Sequence, residues 1–177
     1  THIIIQFSAK YIPYFEQLIG LQVILDKYKN NQYLFFHLDH CIDDEIIFKC
    51  IDLKFDSVMF DGSSMNIEEN IEKAKKIVDI AHGTGVLVEG EVGIISGVED
   101  GFGVNGSTNF DVVEAKCFYS ESGVDMLALG IGNAHGIYQT TENVDINLLS
   151  VFQNHLKQKK ACLVLHGASG LDHKQIL

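Results

Sequence analysis

The chain has 177 residues and 46% hydrophobic content, enough for one domain with a real core and too apolar for disorder. Its formal net charge of −11, with no basic stripe, excludes a nucleic-acid footprint. All thirteen cationic residues are lysines, so a phosphorylated ligand would be held by backbone N–H groups, lysine point charges or a metal.

In chain order, the first apolar β-rich run is HIIIQF (2–7), read as a strand. LFFHL (34–38) is the second, and it runs directly into Asp39 and His40. The segment 43–55 places Ile46, Ile47, Cys50, Ile51 and Phe55 on one side of a helix, with acidic residues at the end where the dipole favours them. SVMF (57–60) predicts a third strand, followed by Asp61. Residues 66–85 predict the clearest helix: Asn66 can cap it, Glu69 stands three residues on, and Ile71, Ala74, Ile77 and Ala81 form one stripe before Gly83 ends it. VLVEGEV (86–92) is a fourth strand, carrying Glu89 and Glu91. The stretch 93–110 holds five glycines and by itself reads as a flexible surface loop. MLALGIG (126–132) and CLVLHG (162–167) predict two more strands. Between them, a helix over 145–160 lines up Leu148, Leu149, Phe152 and Leu156 before lysines at its negative end.

Short, near-continuously apolar strands suit burial on both faces, and their alternation with helices implies a parallel α/β sheet. Asp39 and His40, Asp61, Glu89 and Glu91, His135, and His166 all fall at or just past a strand's C-terminal end. Five strands delivering ionisable groups to one rim is the pattern of a TIM (β/α)8 barrel. A doubly wound sheet gathers its ligand groups at one switch point instead. The expectation is therefore a single, incomplete barrel domain over 1–177 covering about six β-α units.

Three histidines end strands: His40 in HLDH, His135 in GNAHG and His166 in LHGASG. One such histidine is usually an ordinary hydrogen-bonding residue. Three at equivalent places on separate strands point to a zinc site with an open fourth position. His37 shares a face with Asp39 and is read as supporting the site rather than as a ligand. No lysine stands at the end of a predicted strand, which leaves Schiff-base chemistry without a candidate. His2, His82, His155 and His173 lie at the terminus or on or beside helices and read as solvated. Cys41, Cys50, Cys117 and Cys162 form no C-x-x-C pair, which suits a reduced cytoplasmic protein. There is no 18-residue apolar run, so no membrane partner is expected.

HLDHC, SVMFDGS, NIEENI, VEGEVG, GVEDG, DMLALGIGNAHGIY and LVLHGASGL occur in an order and spacing that resembles the class II, metal-dependent fructose-bisphosphate aldolases, including the tagatose-bisphosphate aldolases. The resemblance implies that His40, His135 and His166 bind zinc and that Asp39 exchanges a proton at the carbon–carbon bond made or broken. It implies that Glu99, on a lid formed by the glycine-rich stretch, moves the proton on the dihydroxyacetone-phosphate carbon. Asp61 and Glu91 match a second or alternative metal position. Gly136, Gly167 and Ser169 match donors to a phosphate, alongside a monovalent cation (Na+ or K+). The implied reaction is the glycolytic one: reversible cleavage of fructose 1,6-bisphosphate to dihydroxyacetone phosphate and glyceraldehyde 3-phosphate, zinc stabilising the enediolate. Tagatose 1,6-bisphosphate is the alternative substrate, and a catalytically inactive zinc-binding relative is the alternative of another class. The resemblance also implies a homodimer or homotetramer.

The chain departs from that pattern in length. A full barrel takes about 250 residues. The family's first β-α unit would precede THIIIQF, its last strand would follow LDHKQIL, and QFSAKYIPYF is shorter than the family's loop at that point. Because two missing strands would leave long edges unpaired, the expectation is that these residues belong to a longer chain.

Overall fold

The computed structural model describes residues 2–17, 20–95, 97–99, 102–104, 109–136, 144–156 and 161–171, with main chain only at 16, 17, 98, 99 and 102–104. Its strands are β1 (Ile3–Ser8), β2 (Leu34–Cys41), β3 (Ser57–Phe60), β4 (Leu87–Val92), β5 (Gly97–Glu99), β6 (Phe102–Val104), β7 (Met126–Leu129) and β8 (Cys162–Val164). The helices are α1 (Ile12–Gln17), α2 (Gly20–Tyr28), α3 (Asp44–Asp52), α4 (Ile67–His82), α5 (Val112–Ser122) and α6 (Ile146–His155).

Six strands form one parallel sheet in the order β1-β2-β3-β4-β7-β8. The order follows the chain without reversal, so there is no switch point of the doubly wound kind. The result is a half-barrel wall, in agreement with the expected barrel over the six units present.

Strand alternation divides the core in two. The helix-facing side carries Phe36, Leu38, Val58, Phe60, Val88, Leu127 and Leu129, packed in one large cluster under the helices. Phe7 sets its ring 5.5 Å from Phe55 and 6.0 Å from Phe36 there. Gly90 belongs to the same face because a Cβ would come within 2.6 Å of the Phe118 ring of α5. The opposite, inner face has only a small apolar cluster, Met59, Ile95 and Ala128. Around it lie buried polar residues: His37, Asp39, Ser57, Glu89, Glu91 and His166. A sheet that buries polar side chains on its inner face needs partners for them, and that need locates the site.

The helices start on side-chain caps. Asp43, Asn66, Asp111 and Asp145 each accept a backbone N–H from the first turn of α3, α4, α5 and α6. Such caps are worth about 1 kcal/mol each. Gly83 follows α4 with a helical φ of −60°, and the left-handed residue is Gly85 at 81°. The sequence did not delimit α1, α2 or α5. Helix α5 buries only Ala115, Phe118 and Ser122, too weak a stripe to read, although Asp111 and left-handed Gly123 bound it. The glycine-rich stretch is also not featureless: β5 and β6 pair antiparallel within it. Among the described residues no helix is long and apolar enough to cross a membrane.

Candidate metal centre

Local backbone features aim the candidate side chains at one end of the sheet. The register of β2 against β3 shifts between Leu38 and Cys41, and His40 adopts a left-handed conformation, φ 40°. In a regular strand Asp39 and His40 would face opposite sides. The bulge breaks that alternation, and both residues line one cavity of about 570 Å³ with Asp61, Glu91 and His135. Left-handed backbone at a non-glycine residue costs on the order of 1–3 kcal/mol, so the surroundings must hold it there. Gly97, at φ 105°, plays a complementary part at the start of the β5–β6 hairpin. A Cβ there would stand 2.4 Å from the His135 carbonyl oxygen, so only glycine lets the hairpin approach the His135 backbone so closely.

His40, His135 and His166 each offer a ring nitrogen, all within 4.8 Å of one another. Ring centroids are 4.5 Å apart for His40–His166, 4.7 Å for His40–His135 and 5.6 Å for His135–His166. His40 Nε2 lies 3.1 Å from His166 Nδ1. That is close to the roughly 3.3 Å edge of a tetrahedron built on Zn–N bonds of about 2.0–2.1 Å. On the other side of the ring, His40 Nδ1–H donates to Asp61 Oδ2 at 3.0 Å, with Glu91 Oε2 at 3.7 Å. The Ser63 hydroxyl fixes Asp61 in turn, donating to Oδ1 at 2.6 Å. His40, Asp61 and Glu91 form a second group whose ligand atoms lie within 4.8 Å.

The electrostatics call for positive charge at this point. Burial lowers the His40 pKa, but the Asp61 hydrogen bond and the charges of Glu91 and Asp39 outweigh it and raise it to about 9. Burial and the neighbouring imidazoles push His135 down to about 4. Burial, reinforced by the Asp61 charge, lifts Glu91 to about 8. Burial works against ionisation of Asp61, yet its bonds to His40 and Ser63 hold it below the usual carboxylate range. Asp39 Oδ1 and Glu91 Oε2 are buried with no hydrogen-bond partner among the described residues. Three imidazoles with ring nitrogens within 4.8 Å of one another, ringed by under-satisfied carboxylates, fit a divalent cation that accepts nitrogen ligands.

The remaining expected residues are placed as follows. Gly136 and Gly167 are left-handed at φ 87° and 70°, the first exposed and the second directly after His166. Ser169 sits in the 3-10 turn 168–170. Glu99 ends β5 opposite Phe102, and its side chain lies outside the described residues. His37 bonds the Ser57 hydroxyl through Nδ1 at 2.8 Å and stands outside both candidate ligand groups among the described residues. His82 is not simply solvated, since its Nε2 meets Asp125 at 2.9 Å. Cys41 is buried against the Asp43 carbonyl, and burial raises its pKa to about 11.

One cavity residue escaped the sequence reading, and one rim carboxylate was named there without its partner. β1 extends to Ser8, and Lys10, two residues on, lines the cavity; no Schiff-base lysine had been expected near a strand end. Lys10 is exposed, with Nζ 5.4 Å from the centre of the Tyr11 ring, and lacks the apolar burial that activates such a lysine. The other is Glu89, fully inside the sheet, with Oε1 2.9 Å from His166 Nε2. Its two-residue spacing from Glu91 was the available signal, because both must face the same way.

The family model for fructose-bisphosphate aldolase class-II matches residues 1–177. This chain belongs to the class II fructose-bisphosphate aldolase family. The fructose-bisphosphate aldolase of Ureaplasma parvum is 38% identical over 173 residues, covering 96% of this chain and 57% of that protein. The 6-phospho-5-dehydro-2-deoxy-D-gluconate aldolase of Shouchella clausii is 41% identical over 140 residues, covering 79% of this chain and 46% of that one. The crystal structure of the YdjI aldolase from Escherichia coli K12 superposes with a TM-score of 0.80 at 28% identity, covering 99% of this chain and 61% of the other. A Coccidioides immitis structure with a TM-score of 0.85 covers 99% of this chain and 62% of its own. This class II aldolase chain thus spans about half to three-fifths of the length of these relatives. Class II aldolases are metal enzymes, and the histidine group is where this one could hold its ion.

Proposed function

We propose that the protein is a zinc-dependent aldolase acting on a phosphorylated ketose, with fructose 1,6-bisphosphate as the first substrate to test. The observation that carries this reading is the convergence of His40, His135 and His166 within 4.8 Å, with buried Asp39 beside them. His40, His135 and His166 would hold the ion. When bound, zinc supplies a Lewis acid for the substrate carbonyl.

The chain's own residues do the rest. Asp39 lies on the cavity wall, with Oδ1 4.0 Å from His166 Nδ1. From there it holds and returns the proton of the hydroxyl whose carbon–carbon bond breaks. Glu99, carried on the hairpin, moves the proton on the other fragment. Asp61 and Glu91 orient His40 and offer a second metal position. Gly136, Gly167 and Ser169 present N–H and hydroxyl donors to a phosphate, which suits a chain without arginine. The six-stranded wall is part of a single (β/α)8-barrel domain.

The test is removal of metal by chelation followed by zinc add-back, with triose phosphate release as the readout. Cleavage should vanish and return. Cleavage that survives full metal removal would overturn the zinc reading. Zinc binding without release from fructose 1,6-bisphosphate, tagatose 1,6-bisphosphate or 6-phospho-5-dehydro-2-deoxygluconate would overturn the aldolase reading. The last sugar belongs in the panel because a relative of similar identity carries its name.

A further inference from the structure

Beneath the cavity lies a chain of buried polar groups that the proposed chemistry does not use. Glu89 is 2% exposed on the inner face of β4. Its Oε1 lies 2.9 Å from His166 Nε2 and its Oε2 lies 3.5 Å from His37 Nε2. His37, 3% exposed, has its other nitrogen 2.8 Å from the Ser57 hydroxyl. None of Glu89, His37 and Ser57 reaches the cavity wall, so none is placed to touch a substrate there.

A neutral imidazole carries its proton on one nitrogen and its lone pair on the other. A carboxylate oxygen 2.9 Å from a ring nitrogen accepts that nitrogen's N–H, so Glu89 Oε1 draws the proton of His166 onto Nε2. The lone pair then sits on Nδ1, the atom 3.1 Å from His40 Nε2. The second Glu89 oxygen lies 3.5 Å from His37 Nε2 without a hydrogen bond, and the Ser57 hydroxyl sets the His37 ring from the other side. We infer that Glu89, through its 2.9 Å contact with Nε2, is the positioning residue that fixes the tautomer of His166 and so makes Nδ1 its metal-binding atom. His40 uses the same device in mirror form, with Asp61 on Nδ1 leaving Nε2 for the ion. The inference rests on the reading of His166 as a ligand, but its tautomer half stands without any metal.

The experiment uses nitrogen-15 NMR of the histidine rings in metal-free protein, with zinc affinity from chelator competition, for wild type, Glu89→Gln and Glu89→Leu. Wild-type His166 should show the Nε2–H pattern. Glu89→Gln keeps a neutral acceptor and should retain that pattern, with a smaller loss of zinc affinity. Glu89→Leu should lose the pattern and bind zinc roughly 10- to 100-fold more weakly. A wild-type Nδ1–H ring would overturn the inference whatever the variants do. So would Glu89→Leu with wild-type tautomer and affinity. If Glu89→Leu does not fold, the wild-type spectrum and Glu89→Gln still decide, since Gln keeping affinity while the ring loses its Nε2–H pattern also overturns it. Failure of wild type to bind zinc would instead count against the function proposed above while the ring spectrum is still read.

Discussion

At the scale of single residues, the division of labour between Asp39 and His40 follows from one bulge. His40 turns its ring toward two other imidazoles, while Asp39 keeps an unbonded carboxylate oxygen in the same space. Replacing Asp39 by Asn preserves shape and removes the proposed proton-carrying function. Asp39→Asn should therefore retain zinc while kcat falls by roughly 10²–10⁴. Zinc content by atomic emission and steady-state cleavage rates check both halves; lost zinc would make Asp39 a structural part of the ion's shell. The three histidines and Asp39 were legible in the sequence because each interrupts or ends an apolar run at a strand's tip. Glu89 was visible as a letter but not as a partner. Its role depends on His166, distant in the chain and brought beside it by the sheet.

At the scale of elements, the β5–β6 hairpin is attached to the site through glycine. Gly97 meets the His135 backbone where a methyl group has no room. Gly97→Ala should push the His135 segment outward, lowering zinc affinity and costing about 1–3 kcal/mol for the left-handed backbone. Chelator competition and thermal melting measure the two effects; unchanged affinity would mean that hairpin and ligand move independently. The strand tips and the helices α3, α4 and α6 were readable because apolar spacing and caps agree. Asn66 accepts from Glu69 N at 2.9 Å, where the pattern placed the cap of α4. Helix α5 and the hairpin were not readable. The first has little apolar contrast between its faces, and the second is held by backbone pairing that glycines do not announce.

At the scale of the whole molecule, the site ties stability to pH. His40 rises to about 9 from an ordinary 6.5, and Glu91 to about 8 from 4.5. Both groups hold protons more tightly folded than unfolded. Their contribution is fully present at low pH and is lost as pH climbs through those folded values. The metal-free protein should therefore melt at progressively lower temperature between pH 6.5 and 9. Zinc supplies the positive charge that the protons otherwise provide, so the loaded protein should show a flatter profile over the same range. Melting curves with and without chelator test this, and parallel profiles would refute it. The half-barrel wall itself was legible from the regular alternation of strand and helix. Burial on both faces was expected too, but not which face meets the helices, because alternation within a strand shows only which residues share a face.

The thiol beside the first ligand has a consequence for durability. Cys41 follows His40 directly, yet it is buried and its pKa stands at about 11, so at neutral pH it remains protonated. Peroxide attacks thiolates rather than thiols. The sulfur next to His40 is therefore held as a buried, protonated thiol, a poor target for peroxide and a poor rival to the imidazoles for a metal.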